Sequence, residues 1–469
     1  MNKTTGGRGQ RTGIRRQKSE DRKMRSYEDK KIKLLNFLFS QLLKFSSLLL
    51  TVYCLMPTEV HAEDKVITLS DAWRSAIASY ETIMLSQEDL FQAEKGIDKA
   101  LSQILPSLTA DADYTQYSEG VSSVQPENSS SFSLKLTQPL YSGGKEWSLW
   151  RQAKKKTEAN KRSLEATKEK IMLNVAQAYY AVLKAEKTVE IKEAALKRAM
   201  EQRRVASARF QVGEVTKSVV LRAEAEVAGA EAEHANAKKD LLVAKDKLAR
   251  LIGVLEDFKV SDPNIQPLPD TNLDTWTSLS LEKRQDYMQS KIEEEVAEEG
   301  INYAFGNFLP SFKLEGVYTK RDQDPKTFLF NDESMFAGVI FTYPLFEGGL
   351  RKAELDEAKS KRRQAEFKKV SIKKDIELEV REAFHNLETF TSVIESHKRQ
   401  VSFAEENYNM VFKQFSYGLA TNVDVIDANT TLVSSQSNLV NAIYDYQTAI
   451  IELKKRVGIL FEDMKSAKQ

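Results

Sequence analysis

Two stretches decide the fold: Gln138-Pro139-Leu140-Tyr141-Ser142-Gly143-Gly144 and Tyr343-Pro344-Leu345-Phe346-Glu347-Gly348-Gly349. Both read Pro-Leu-aromatic-x-Gly-Gly, and they lie 205 residues apart. The same offset of 205 carries Phe210-x-x-Gly213 onto Phe415-x-x-Gly418, Val175-x-x-Ala178 onto Val380-x-x-Ala383, and Ile252-Gly253 onto Val457-Gly458. Leu105-Pro106-Ser107 maps onto Leu309-Pro310-Ser311 at 204, so one insertion separates that pair from the others. A spacing kept in order along the chain marks a duplicated unit. The copies span 66–255 and 276–460, joined by a linker, 256–275, that holds Pro263, Pro267 and Pro269. A tail of 461–469 follows.

Each copy reads the same way outward from its Gly-Gly pair. Downstream there is no proline between Pro139 and Pro263 and none after Pro344. The 67 residues of 145–211 would span about 100 Å as one helix. Apolar residues recur there at alternating steps of three and four, a coiled-coil period. The seam is Val175, Ala178, Val182, Ala185, Val189, Lys192, Leu196, Ala199, Arg203, Ala206 and Phe210 in the first copy. In the second it is Val380, Ala383, Leu387, Phe390, Ile394, His397, Val401, Ala404, Tyr408, Val411 and Phe415. Gly213 and Gly418 turn the chain, giving helical hairpins over 145–253 and 347–457. Upstream, Ser70 is placed to cap a helix from Asp71 to about Ile104, which Pro106 stops; Pro310 does the same in the second copy. Between each helix and its Gly-Gly pair lie two segments with period-two patterning, 108–118 with 131–140 and 311–320 with 334–343. One face of each is apolar, and a strand of about ten residues suits a tilted span of a bilayer. A soluble hairpin packed on a core is the other reading, but the helices offer it no lid.

The chain has 469 residues, with 69 Lys and Arg against 68 Asp and Glu, and 29% of it is charged. That charge density excludes a polytopic helical membrane protein. A single Cys, Cys54, excludes a disulfide framework or Cys-rich zinc sites. Residues 1–62 carry 13 basic and 5 acidic residues, an apolar core at Leu48–Met56, and Val60-His61-Ala62 before Glu63. A basic region, an apolar region and small residues at −3 and −1 describe a secretion signal cut after Ala62, with Met1 or Met24 as its start. A membrane anchor is the competing reading of that stretch. Removing 1–62 leaves a Cys-free chain of net charge −7.

No G-x-x-x-x-G-K-[ST] motif is present, His234, His385 and His397 are scattered, and no catalytic constellation emerges. The near-neutral charge gives no argument for nucleic acid, and no cofactor is expected. Export and long hairpins also suit a periplasmic coiled-coil adaptor. Such an adaptor has one hairpin and a soluble β-domain rather than two strand pairs.

With these residues in view, the chain resembles the TolC-like outer-membrane efflux proteins of Gram-negative bacteria over essentially all of 66–460. The most specific match is Tyr417-Gly418-Leu419-Ala420-Thr421-Asn422-Val423-Asp424-Val425-Ile426-Asp427-Ala428, the family's turn. The first copy carries a degraded version at Val212–Ala223. The resemblance implies a mainly α protomer with a small membrane β-part, three protomers closing a 12-stranded barrel, and a helical periplasmic tunnel. It implies a passive exit duct for tripartite efflux or type I secretion, not an enzyme. Its partners would be a homotrimer, outer-membrane lipid, a periplasmic adaptor and an inner-membrane pump of the RND or ABC type. It assigns pore constriction to Asp424 and Asp427; a helix-capping role for Asp424 is the alternative. It assigns adaptor docking to Gly213, Glu214, Val215, Gly418, Leu419 and Ala420. The barrel–tunnel junction falls to Pro139, Gly143, Gly144, Pro344, Gly348 and Gly349. The family's gate-locking Arg and Asp are replaced here by Ala420 and Val219, and its Tyr by Phe415, which implies a looser gate or one held by other contacts.

Overall fold

A computed structural model describes residues 65–118, 126–254, 258–263, 272–326 and 330–462. The expected secretion signal and most of the tail lie outside the described residues. The order is β1 (Lys65–Ile67), α1 (Leu69–Ser79), α2 (Glu81–Ser102), β2 (Ser107–Gln116), β3 (Asn128–Ser142), α3 (Lys145–Gln211), α4 (Lys217–Ile252). It continues β4 (Phe258–Val260), α5 (Leu273–Lys283), α6 (Gln285–Gly306), β5 (Ser311–Asp324), β6 (Glu333–Thr342), α7 (Leu350–Ser416), α8 (Asn422–Val457). Helix lengths repeat pairwise: 11 residues for α1 and α5, 22 for α2 and α6, 67 for α3 and α7, 36 for α4 and α8. Elements before the strands match at an offset of 204 and those after them at 205.

Each long helix pairs antiparallel with its return helix and, over its other half, with the short 22-residue helix. The return helix and the short helix meet at a joint. In the first repeat Gly253, at φ +69°, closes α4 against Ser79 of α1. Three buried clusters hold the helices. The largest gathers Trp73, Met172, Tyr179, Tyr180, Leu248, Ile252 and Tyr444 around the first joint. A second packs Trp276, Ile376, Val380, Leu387, Ile450 and Leu453 around the second joint. A third, at the hairpin tips, packs Phe415, Tyr408, Val425 and Leu432 against Ala206 and Ala223.

Several expectations need correcting. The helix expected from Asp71 to Ile104 is two helices, broken at Tyr80 (φ −77°, ψ 125°) and ending at Ser102. No Gly or Pro marks the break, because packing imposes it. Helix α1 must bury Ala72, Trp73 and Ala76 against α3, while α2 lies alongside it. Its cap is Thr68 rather than Ser70: the Thr68 hydroxyl accepts from the Asp71 amide at 3.2 Å and donates to the Asp71 carboxylate at 2.6 Å. The linker is not structureless. It contributes β4, which pairs parallel with β1, and the opening of α5. Near the first tip the seam holds at Ala206 but slips at Arg203 and Phe210, which are exposed, while Gln202 is buried in place of Arg203. A 3.5-residue register drifts by roughly 20° per heptad on a straight helix, which moves the buried stripe by about one residue over several turns.

The strands form one antiparallel sheet in the order β2-β3-β5-β6. Directly opposite partners share a face, so the registers place Leu108, Ala110, Ala112, Phe132, Leu134, Leu136, Leu314, Tyr318, Val339 and Phe341 together. The other face carries Asp111, Asp113, Lys135, Lys313 and Glu315, with Lys135 Nζ 3.1 Å and Lys313 Nζ 3.2 Å from Glu315 Oε2. Phe336 and Ile340 share that polar face. All of β2 is exposed, and Met335, Val339 and Phe341 of β6 are 82%, 64% and 57% exposed. The sheet therefore has an uncovered apolar face and two open edges, β2 and β6.

Gly143 tests the strand–helix junction. It sits at φ +71°, and a Cβ there would lie 2.2 Å from the Gly306 carbonyl oxygen. Gly144, at φ +78°, has open space around it. Gly144→Ala should cost about 1–2 kcal/mol, the left-handed penalty alone. Gly143→Ala adds a backbone clash and should lower the thermal unfolding midpoint clearly further, as melting of both variants would reveal.

Candidate functional site

The two hairpin tips are built from the same local rules with one difference. In both, glycine supplies the left-handed turn residue, at φ +78° for Gly213 and +79° for Gly418. The turn amides fold back on the helix ends: Glu214 N–H to Arg209 O at 2.9 Å, Leu419 N–H to Gln414 O at 2.8 Å. The difference is the start of the return helix. Thr421 and Asp424 form a reciprocal capping box on α8: Asp424 Oδ2 accepts from the Thr421 amide at 2.8 Å and hydroxyl at 2.7 Å. Those bonds hold the Asp424 carboxyl below its usual range. In the first tip Val219 replaces the acid, and Thr216 makes no capping bond.

Capping is thus the role the structure gives Asp424, on an exposed carboxylate. Asp427, one turn on, is exposed as well. Gly213, Glu214, Gly418 and Leu419 form an exposed end, with Val212 70%, Tyr417 82% and Leu419 80% exposed; Val215 and Ala420 are half-buried. A polar residue set that sequence reasoning missed ties the tips together. Arg209 donates from Nη1 to the Phe415 carbonyl at 2.8 Å and from Nε to Glu214 at 3.0 Å, with its guanidinium 5.4 Å from the Phe415 ring centroid. Gln202 Nε2, buried, donates to Asn422 Oδ1 at 2.7 Å. Arg198 Nε donates to Asn429 Oδ1 at 2.7 Å and stacks over Tyr408. The signal was present: Arg198, Gln202 and Arg209 are spaced by four and seven, and Asn422 and Asn429 by seven, on otherwise alanine-rich faces. These residues make polar contacts between the hairpins, where Ala420, Val219 and Phe415 offer no polar side chain.

The junction residues divide. Gly144 and Gly349, at φ +78° and +89°, are the N-caps of α3 and α7. Pro139 lies inside β3, where the ladder shifts register between Pro139 and Tyr141. Pro344 follows the end of β6. Exposed Leu345 and Phe346 and the Trp147–Trp150 pair, centroids 5.9 Å apart, surround this end of the sheet. Among the described residues no group of three metal-binding side chains occurs, and no helix is long and apolar enough to cross a membrane.

An amphipathic sheet set on two antiparallel helical hairpins defines the protomer of an outer-membrane channel with a helical extension. The chain belongs to the outer membrane efflux protein family, whose model matches residues 74–254 and 276–458. It is 27% identical over 417 residues to the outer membrane protein TolC of Escherichia coli K12, covering 84% of this chain and 83% of that one. It is 22% identical to the alkaline protease secretion protein AprF of Pseudomonas aeruginosa, covering 70% and 69% of the two chains. Among solved structures it is similar to CusC, with a TM-score of 0.74 at 17% identity over 83% of this chain and 92% of that one. The Campylobacter jejuni CmeC outer membrane channel also superposes at 0.74, with 19% identity, covering 85% and 88%. The protein is an outer-membrane exit duct, with its helices on the periplasmic side.

The inter-hairpin bonds and the cap make separate predictions. Gln202→Ala leaves a buried Asn422 amide oxygen without its donor and should cost roughly 1–3 kcal/mol. Arg203→Ala, one residue on but exposed, should stay within about 0.5 kcal/mol; paired denaturant titrations read both. The depressed Asp424 carboxyl stabilises the tip above its unfolded value and loses that contribution as pH falls. Amide protection at 421–424 should therefore drop on acidification below about pH 4. It should be insensitive to pH in Asp424→Asn.

Proposed function

We propose that three copies of this chain close into a 12-stranded outer-membrane barrel continued by a helical tunnel of about 100 Å. The tunnel tip docks a periplasmic adaptor, through which an inner-membrane pump of the RND or ABC class drives export. The observation that carries this reading is the uncovered apolar face of a sheet whose edges β2 and β6 are both open. In hydrocarbon an open edge leaves backbone groups without partners, so a four-stranded sheet must be completed by other strands.

The repeat supplies the mode of completion. Within one chain α3 packs on α6, with Arg151 Nε 2.9 Å from Glu299 Oε1. Among the described residues, the equivalent packing of α7 on α2 is not made within the chain. Carried by the offsets, Arg151–Glu299 becomes Asp356–Lys95, the same ion pair with its charges exchanged. A neighbouring copy can therefore supply α2 to α7 and β2 to β6. Likewise Gly143 meets Gly306 at close range, while its counterpart Gly348 has nothing within 4 Å. Threefold symmetry then gathers Asp424 and Asp427 of every copy near one axis, where carboxylates favour cations and repel anions. The exposed Tyr417 and Leu419 sit at the end offered to an adaptor.

The relatives include an alkaline protease secretion protein and a toluene efflux pump outer membrane protein. A shared duct serving different pumps accounts for that range.

The register makes the assembly testable. Leu134 faces Tyr318 across β3 and β5, so Val339 should face Tyr114 of the next copy. A Val339→Cys, Tyr114→Cys protein should oxidise into covalent multimers, and Ile340→Cys, Tyr114→Cys should not. The detergent-extracted protein should have three times the protomer mass and conduct ions in planar bilayers. Asp424→Ala with Asp427→Ala should weaken block by multivalent cations. A soluble monomer without conductance would refute the duct assembly, and undiminished block would remove the two acids from the pore.

A further inference from the structure

A cavity of about 230 Å³ lies where the second joint meets the first repeat. Its walls are Ser163, Ala166, Thr167, Glu169 and Lys170 of α3, Arg284, Gln285 and Asp286 at the α5–α6 joint, and Lys455 of α8. Glu169 is only 6% exposed. The arginine nearest it is already committed. Arg284 donates from Nη2 and Nε to Asp286 at 2.6 and 3.0 Å and from Nη1 to Glu379 of α7 at 2.6 Å. Arg456 is likewise engaged, with Glu452 at 2.7 Å and Glu379 at 3.4 Å. On α3, Glu165 is paired with Lys168 at 2.7 Å, and Lys170 is exposed. Among the described residues no ion pair joins Glu169 to a base, and Lys455, on another wall of the cavity, is in none either. The first joint has no such arrangement: the residues equivalent to Glu169, Arg284, Asp286 and Lys455 are Lys374, Tyr80, Thr82 and Arg250.

We propose that Glu169 and Lys455 form a proton-operated clamp between the long helix of the first repeat and the helix joint of the second. With the carboxyl protonated, the two sides are held by packing alone. With it ionised, the carboxylate needs solvation that the closed cavity denies it, and α3 loosens from the joint as Lys455 and water are drawn toward it.

The environment sets the working range. Burial pushes the Glu169 carboxyl up to about 7, with Asp286 and Glu165 raising it and Lys455 and Arg284 opposing. Burial first, and Arg284 second, lower the Lys455 ammonium from its ordinary value. A carboxyl raised in this way stabilises the fold most below its unfolded value of 4.5 and loses that contribution as pH climbs to about 7. The clamp is therefore closed with the acid neutral and loosens as pH climbs through that range. It couples the joint to external pH on the periplasmic side.

The test uses the whole mature protein in detergent or lipid discs. Infrared difference spectra with labelled Glu carboxyls should show one group titrating near 7, absent in Glu169→Gln. Lys455→Met should move that midpoint upward, because it removes an opposing positive charge, while Lys455→Arg should leave it near the wild-type value. Melting temperature should fall between pH 5 and pH 8 in the wild type and less steeply in Glu169→Gln. Amide protection across 283–287 should fall above pH 7 in the wild type alone. A midpoint that ignores Lys455→Met, or a Glu169→Gln protein with the wild-type pH slope, overturns the clamp. Should Lys455→Met not fold, Lys455→Gln, which also removes the charge, takes its place and must move the Glu169 midpoint upward.

Discussion

Backbone hydrogen bonding in a medium without water is the constraint on which this architecture depends. Within hydrocarbon every strand N–H and C=O must find a partner in protein. Among the described residues the larger sheet has four strands, which pair three times and leave β2 and β6 open. Four strands cannot close a barrel without leaving edges. The proposed trimer follows from that shortfall, since the missing pairings β6–β2 and α7–α2 are the repeat equivalents of β3–β5 and α3–α6. One sequence duplication thus supplies both the contact inside the chain and the template for the contact outside it.

The repeat is conserved in length where geometry demands it and free where it does not. Paired helices agree to the residue, because the long helices must reach the same tip and the same junction. The one-residue difference between the offsets falls in the strand hairpins, whose loops can absorb an insertion without moving a helix. Side-chain chemistry diverged more than length. The second tip has a capping box and the first has not; the second joint has a buried charge cluster and the first an exposed Arg250–Glu81 pair at 3.0 Å. Two copies of one fold have become an outwardly regular frame with chemistry concentrated in the second.

Much of the fold was legible because its signals are local and periodic. The Gly-Gly pairs must adopt positive φ, the three-four seam must face a partner helix, and strand alternation must segregate faces. Gly143 and Gly418 show how far such reasoning reaches: only glycine occupies their backbone angles comfortably, so the turns declare themselves. The break at Tyr80 was not legible, because no residue there disfavours helix and the bend is imposed by burying Trp73 on α3. The tip contacts were missed for a related reason. Arg198, Gln202 and Arg209 look like ordinary solvated positions until α7 and α8 are laid beside them, and the drift accumulated over several heptads decides that Gln202 is inside and Arg203 outside.

The sequence by itself determined the duplication, the helix lengths, the turn positions, the apolar strand faces and the family resemblance. All of these follow from spacing and from the backbone preferences of single residues. The tertiary structure alone decided which groups come together: the Gln202–Asn422 bond, the Gly143–Gly306 approach, the β1–β4 pair that the linker completes, and the cavity that Glu169 and Lys455 both line. Those contacts join residues many turns or a whole repeat apart. Whether two such groups touch depends on helix phase and on the angle at which helices lie together, which no local pattern encodes.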